Sequence, residues 1–140
     1  MNLAKELIKE FEGLRLKSYK CPAGIWTIGW GHTKGIIEHD TINEAQAESF
    51  LDYDILWANR AVDDLVTVPL NDFQRAALIS FVFNLGKGKL MGSTLLRKLN
   101  TGDYLGAAKE FDRWVFANGT KLPGLVRRRA AERKMFERKE

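Results

Sequence analysis

A single cysteine in 140 residues excludes an internal disulfide and supplies no metal-ligand pattern, which fits folding in a reducing cytoplasm without a metal. No long apolar run is present either. The first thirteen residues, MNLAKELIKEFEG, carry a charge every few positions, so they have neither the apolar centre of a signal peptide nor the length of a membrane span. Internal repeats, low-complexity tracts and flexible interdomain linkers are absent as well. Neither sign of charge is in large excess, with 22 basic against 18 acidic residues and a net charge of +4. What remains, 45% hydrophobic and 29% charged, excludes disorder. The length suits one domain over residues 1–140, able to bury about two-thirds of its unfolded surface.

The polar groups that invite a chemical reading cluster between Glu12 and His32, EGLRLKSYKCPAGIWTIGWGH. Leu3, Leu7, Ile8 and Phe11 form the apolar stripe of an amphipathic helix, and Glu12, four residues beyond Ile8, continues it toward the core. Gly13 is a natural terminator. A partly desolvated carboxylate at the negative end of a helix dipole favours its protonated form, as a general acid near neutral pH requires. The plainer reading is a solvated last-turn glutamate, since helix propensity places Glu almost anywhere. After Gly13 the pattern alternates, and Cys21-Pro22-Ala23-Gly24 has the residues of a type I turn, so a hairpin is expected. In its second strand Trp26, Ile28 and Trp30 point to one face, for burial, and Thr27, Gly29 and Gly31 to the other. A hydroxyl flanked by two glycines marks close approach by a backbone or a ligand. The hairpin is therefore expected to wall a cleft, with Cys21 at its tip, Thr27 on its floor, Gly29 and Gly31 open to a bound molecule, and Glu12 at the entrance. A thiol–imidazole pair of Cys21 with His32 would suit peptidase or amidase chemistry. Cys21 precedes proline in a turn instead of heading a helix, which favours a structural hydrogen bond for His32. His39 is read as a solvated loop position.

These residues and the words around them resemble the phage-type lysozymes, glycoside hydrolase family 24. The similarity rests on Glu12, Cys21 and Thr27 in that spacing, on EGLRLKSY and WTIGWGHTKG, and on VPLNDFQRAALISFVFNLG, GSTLLRKLN and LPGLVRRRAAER, so it covers nearly the whole chain. The resemblance implies an α+β, lysozyme-like fold. A small β-hairpin-rich lobe, about 13–42, would be joined by a long helix to a larger helical lobe, about 1–12 and 43–140. It also implies hydrolysis of the β-1,4 bond between N-acetylmuramic acid and N-acetylglucosamine in bacterial peptidoglycan, with no cofactor. Glu12 would be the general acid. The best-known members carry Asp where this chain has Cys21, and there it orients the attacking water; a branch of the family carries Cys. An unperturbed thiol, with a pKa of about 8.5, is only a few per cent ionised at neutral pH, and Lys20 beside it would lower that value. The thiolate then serves as a base on water or attacks the anomeric carbon, while the alternative is a small half-buried turn residue of no chemical use. Thr27 would help to hold the water. The charged N-terminus, without an apolar anchor, leads to the expectation that the protein accumulates in the host cytoplasm, without stable membrane insertion, and reaches the wall through a holin-like protein, although a chain trimmed of an anchor would look the same; a monomer is expected. A wall-binding module that has lost catalysis is the second reading.

Further along, Thr41 to Glu44 has the pattern of a capping box, and apolar positions through Phe50, Leu51, Ile55, Ala58, Val62 and Leu65 extend the longest helix. Glu44, Glu48, Asp52, Asp54, Asp63 and Asp64 read as its solvated face. Pro69 breaks the chain, Asn71 or Asp72 caps the next helix, and Phe73 to Leu85 is apolar on nearly all sides until Gly86, which suits the centre of a lobe. Asn84 either caps its own helix end or, by the resemblance, faces the cleft and bonds the sugar N-acetyl groups. Ser93 or Thr94 opens a short helix, and Asp103 caps another carrying Phe111 and Trp114. From Lys121 onward there are eight basic residues against three acidic. No nucleic-acid reader motif accompanies them, whereas bacterial walls are anionic and would attract a basic face. The resemblance also puts one of Arg127, Arg128 or Arg129 beside Glu12.

Overall fold

The computed structural model describes residues 2–139. Helix α1 (Asn2–Glu12) buries Ala4, Leu7 and Ile8, and Gly13, at φ +63°, ends it directly after Glu12. Its flank carries Lys5 and Lys9, which pair with Glu48 of the long helix α2 (Glu44–Leu65); Lys5 also lies 2.6 Å from Asp52. Strands β1 (Arg15–Lys20) and β2 (Trp26–Gly29) are antiparallel, with Tyr19 opposite Thr27 and Lys20 opposite Trp26. The connecting turn closes as its residues demand: Gly24 N–H donates to Cys21 O at 2.8 Å and Cys21 N–H to Ile25 O at 3.0 Å.

The second strand stops earlier than simple alternation predicts. Gly29 and Gly31 take φ of +65° and +79°, and Ile28 and His32 exchange backbone hydrogen bonds of 2.9 and 2.8 Å, which folds 29–31 into a tight turn. Trp30 and Gly31 thus leave the strand, and Gly29 turns away from the open face. A Cβ on Gly29 would lie 3.6 Å from both Ala47 and Ile42.

Helix α2 is capped two residues beyond the expected box. Asn43 Oδ1 accepts from Gln46 N–H at 2.8 Å and Gln46 Oε1 from Asn43 N–H at 2.9 Å, while Thr41 forms a β-bridge with Lys17. The pattern Asn-x-x-Gln satisfies the same orphan donors as Ser/Thr-x-x-Glu. Asn43→Ala is expected to cost about 1 kcal/mol in denaturant unfolding, with activity at saturating substrate unchanged.

Helix α3 (Asp72–Leu85) begins at the reciprocal cap of Asn71 and Gln74 and buries every residue from Ala76 to Val82. It is the axis of the helical part, packed on α1, α2 and α7 (Pro123–Phe136). Phe81 anchors it edge-on to Phe111 and Trp114, at centroid distances of 5.6 and 5.5 Å. The Ser93 and Asp103 caps open α5 (Thr94–Asn100) and α6 (Tyr104–Glu110). Three features escape the pattern reading: the five-residue α4 (Lys87–Met91), the 3-10 turn Phe111–Arg113 that replaces the expected continuation of α6 through Phe111 and Trp114, and a hairpin of β3 (Phe116–Ala117) with β4 (Thr120–Lys121). All are too short to carry a period. Among the described residues no helix is long and apolar enough to cross a membrane.

Candidate active site

The end of α1, the β1–β2 hairpin, the C-terminal part of α3 and the middle of α7 converge on Glu12. Its side chain is 20% exposed, and Arg128 Nη1 donates to its Oε2 at 2.6 Å. Of the three arginines in the run, Arg128 is therefore the neighbour; Arg127 is exposed and Arg129 is buried elsewhere. Gly31 closes the other side. A Cβ there would stand 2.7 Å from Glu12 Oε1, so the tight turn after β2 presses its backbone onto the carboxylate.

Cys21 is half-buried at the start of the turn. Its thiol is held below the ordinary range chiefly by a backbone hydrogen bond with Ile25, with further help from Ala23 and the Thr27 hydroxyl, against desolvation. Lys20 is not among the leading influences. Its ammonium lies 5.4 Å from the centroid of the Trp26 ring, the cross-strand neighbour, so the expected lysine effect is replaced by a backbone one. Thr27 is buried and donates to Ile25 O at 2.9 Å, placing its oxygen within reach of the sulfur. Tyr19, opposite Thr27, senses both ends of the site. Burial and the charge of Glu12 hold its phenol above the ordinary range, with a smaller push from Cys21 and an opposing one from Arg15.

His32 is engaged elsewhere. Its Nδ1 is 2.7 Å from Asp54 Oδ2 and its ring stacks on Phe50 at 4.2 Å, so the thiol–imidazole pair is absent and the structural role holds. Asp54 consequently leaves the solvated acidic face, with only 23% of its side chain exposed, and burial raises its carboxyl against the pull of His32.

From Gly31 a cleft of about 670 Å³ runs between α2 and the end of α3 to Lys87. Trp57, Arg60, Asp63 and Asp64 form one wall, Val82 and Phe83 the other. Trp57 is 52% exposed, with Tyr53 edge-on at 6.2 Å and the Arg60 guanidinium 5.3 Å from its ring. A rigid aromatic face of this kind suits the apolar side of a sugar ring. Trp57 was detectable in the sequence as a large aromatic outside the apolar stripe of its helix.

Asn84 is half-buried next to the cleft residue Phe83, and its Oδ1 accepts from Arg129 Nη2 at 2.8 Å. It does not cap α3; that end is closed by Gly86 N–H donating to Val82 O. Much of the basic C-terminal run is also not a free surface. Arg128 and Arg129 are buried with Glu132, Arg133 pairs with Asp112 and Glu137, and Arg138 covers Phe73. Among the described residues no cluster of three metal-binding side chains occurs.

The sequence profile described as phage lysozyme matches residues 9–132. The chain belongs to the phage lysozyme family. An endolysin of Acyrthosiphon pisum secondary endosymbiont phage 1 is 50% identical over 135 residues, covering 94% of this chain and 92% of that protein. The endolysin of Salmonella phage P22 is 41% identical over 134 residues, covering 92% and 91%. Among solved structures, the muramidase domain of SpmX from Asticaccaulis excentricus superposes with a TM-score of 0.92 at 38% identity, over 99% of this chain and 97% of that one. The fold is accordingly the lysozyme-like α+β fold. As a phage lysozyme the chain is a glycoside hydrolase of bacterial peptidoglycan.

Proposed function

We propose that this phage lysozyme is an endolysin of the muramidase type, in which Glu12 protonates the leaving glycosidic oxygen and Cys21, with Thr27, holds and activates the attacking water. The observation that carries this reading is the position of Glu12, locked between Arg128 and the Gly31 backbone where the cleft begins. A carboxyl fixed at one end of a sugar-sized groove can deliver a proton to a bridging oxygen without reorganising. The hydrogen bonds around Cys21 favour its thiolate, which supports its work as the base on the opposite side. Thr27, whose hydroxyl proton goes to Ile25 O, would steady the water as an acceptor. Gly31, Asn84 and the Trp57 face would bind the saccharide, and Gly29 would support them from the helix side.

We take the enzyme to be a single-domain monomer. Its β-rich lobe spans about 13–42 and its helical lobe about 1–12 and 43–140. It is made in the host cytoplasm and reaches the wall through a holin-like permeabilising protein.

The test is the anomeric configuration of the first sugar released from a peptidoglycan oligomer, followed by proton NMR. An inverted product is expected from the wild type. A retained product that disappears in Cys21→Ser would make the sulfur a nucleophile and overturn the water-holding role. The rate should also rise with pH through the ionisation of the thiol, with a midpoint below the ordinary thiol value. Cys21→Ser should lose about 100-fold in kcat and the associated limb. Cys21→Asp, ionised throughout that range, should keep most of the activity and show no such limb.

A further inference from the structure

Glu132 lies on α7 with no exposed surface, in a stretch otherwise dominated by arginine and lysine. A carboxylate in that position is costly unless every lone pair is used. Here Oε2 accepts from Ser80 Oγ at 2.6 Å, from Arg129 Nη2 at 3.2 Å and from Arg128 Nε at 3.3 Å, whereas Oε1, 2.8 Å from Arg129 Nε, is held by charge without hydrogen-bond geometry, so the carboxylate keeps part of that cost. The two arginines lead outward to different places. Arg128 Nη1 ends on Glu12 Oε2 at 2.6 Å, and Arg129 Nη2 ends on Asn84 Oδ1 at 2.8 Å. Ser80 steadies the first branch, its carbonyl and hydroxyl oxygens each 3.3 Å from Arg128 Nη2.

We infer that Glu132 is a positioning residue for hydrolysis, the buried hub that sets Glu12 through Arg128 and Asn84 through Arg129. Replacing Glu132 alone by a hydrophobic residue would leave the buried guanidinium groups of Arg128 and Arg129 without their shared counter-charge and without a fixed bearing. A planar fork locked on one side by a carboxylate presents its remaining N–H groups in a fixed direction on the other. The hub thereby couples the proton donor to an amide beside the cleft, across α7 and α3. Burial raises the Glu132 carboxyl and the two arginines oppose that shift, which accords with a group held by its partners and not by water.

The inference rests on Glu12 being the acid, and the experiment separates the two. Glu132→Gln keeps the volume and removes the charge. Because a misplacement of about 1 Å costs on the order of 100-fold, kcat should fall by about 30- to 100-fold in folded protein, with KM for a peptidoglycan oligomer rising less. Loss of the counter-charge lowers the melting temperature on either reading, but a purely structural Glu132 would leave kcat of the folded protein in place and produce no split between kcat and KM. Ser80→Ala removes only the hydroxyl bridge and should lower kcat several-fold with KM little changed, so it decides the question if Glu132→Gln does not fold. Glu12→Gln is measured alongside. Retained turnover there removes the acid reading itself. An inactive Glu12→Gln, together with wild-type kcat in Ser80→Ala or a folded Glu132→Gln, overturns the hub.

Discussion

Glu12→Gln should abolish measurable lysis, lowering kcat by about 1,000-fold or more, roughly 4 kcal/mol of barrier, while the protein remains folded. The amide has the shape of the acid and its oxygen can still accept from Arg128 Nη1, so the buried guanidinium keeps a partner and the end of α1 keeps its packing. What is lost is the transferable proton. A glycosidic oxygen is a poor leaving group unless it is protonated as the bond breaks, and at this end of the cleft Glu12 is the carboxyl that meets both Arg128 Nη1 and the Gly31 backbone. The change would be read as the rate of turbidity loss of purified cell walls, with circular dichroism and thermal melting as the control for folding. Turnover within about tenfold of wild type would remove Glu12 from the acid role.

Gly31→Ala should be the most damaging alanine substitution among the glycines of positive φ. Two independent costs meet there. The backbone sits at φ +79°, a left-handed conformation that costs an L-residue about 1–2 kcal/mol. The new Cβ would also fall 2.7 Å from Glu12 Oε1 and 3.1 Å from its Cδ, so either the carboxyl or the tight turn must shift. A displacement approaching 1 Å at the proton donor carries a loss on the order of 100-fold in kcat beyond the stability effect. Gly102→Ala separates the two costs. Gly102 has a similar φ of +87° but nothing within 4 Å of its missing side chain, and it follows α5 far along the chain. It should lose comparable stability in denaturant unfolding and retain wild-type turnover. Equal activity losses in the two variants would mean that strain alone, and not contact with Glu12, explains Gly31.

Much of this site can be read from the chain because local rules fix it. The stripe ending at Glu12 and the glycine after it place a carboxylate at a helix end, and Pro22 with Gly24 makes the turn that carries Cys21. The apolar run from Phe73 to Leu85 could only be a central helix. What the sequence withholds is set by packing between distant segments. Arg127, Arg128 and Arg129 are consecutive, so each points about 100° from the next around α7. Only the docking of α7 on α3 decides that the second reaches Glu12. Glu132 reads as a solvated acid among bases, since nothing local announces that Ser80, 52 residues earlier, will meet it. Alternation fails at Gly29 because a glycine can turn the chain through a positive φ where any other residue would continue the strand. The sulfur's environment also comes from the fold, for the closing turn brings Ile25 to Cys21 while Lys20 lies over Trp26.

The most direct test of the central claim is the chemical identity of the new reducing ends in cell-wall digests by the wild type and by Glu12→Gln, determined after borohydride reduction. N-acetylmuramic acid at those ends from the wild type, and none from the variant, is the expected result. New ends carrying N-acetylglucosamine or an anhydro-muramic residue, or muramic ends released equally by Glu12→Gln, would contradict a water-dependent muramidase driven by Glu12.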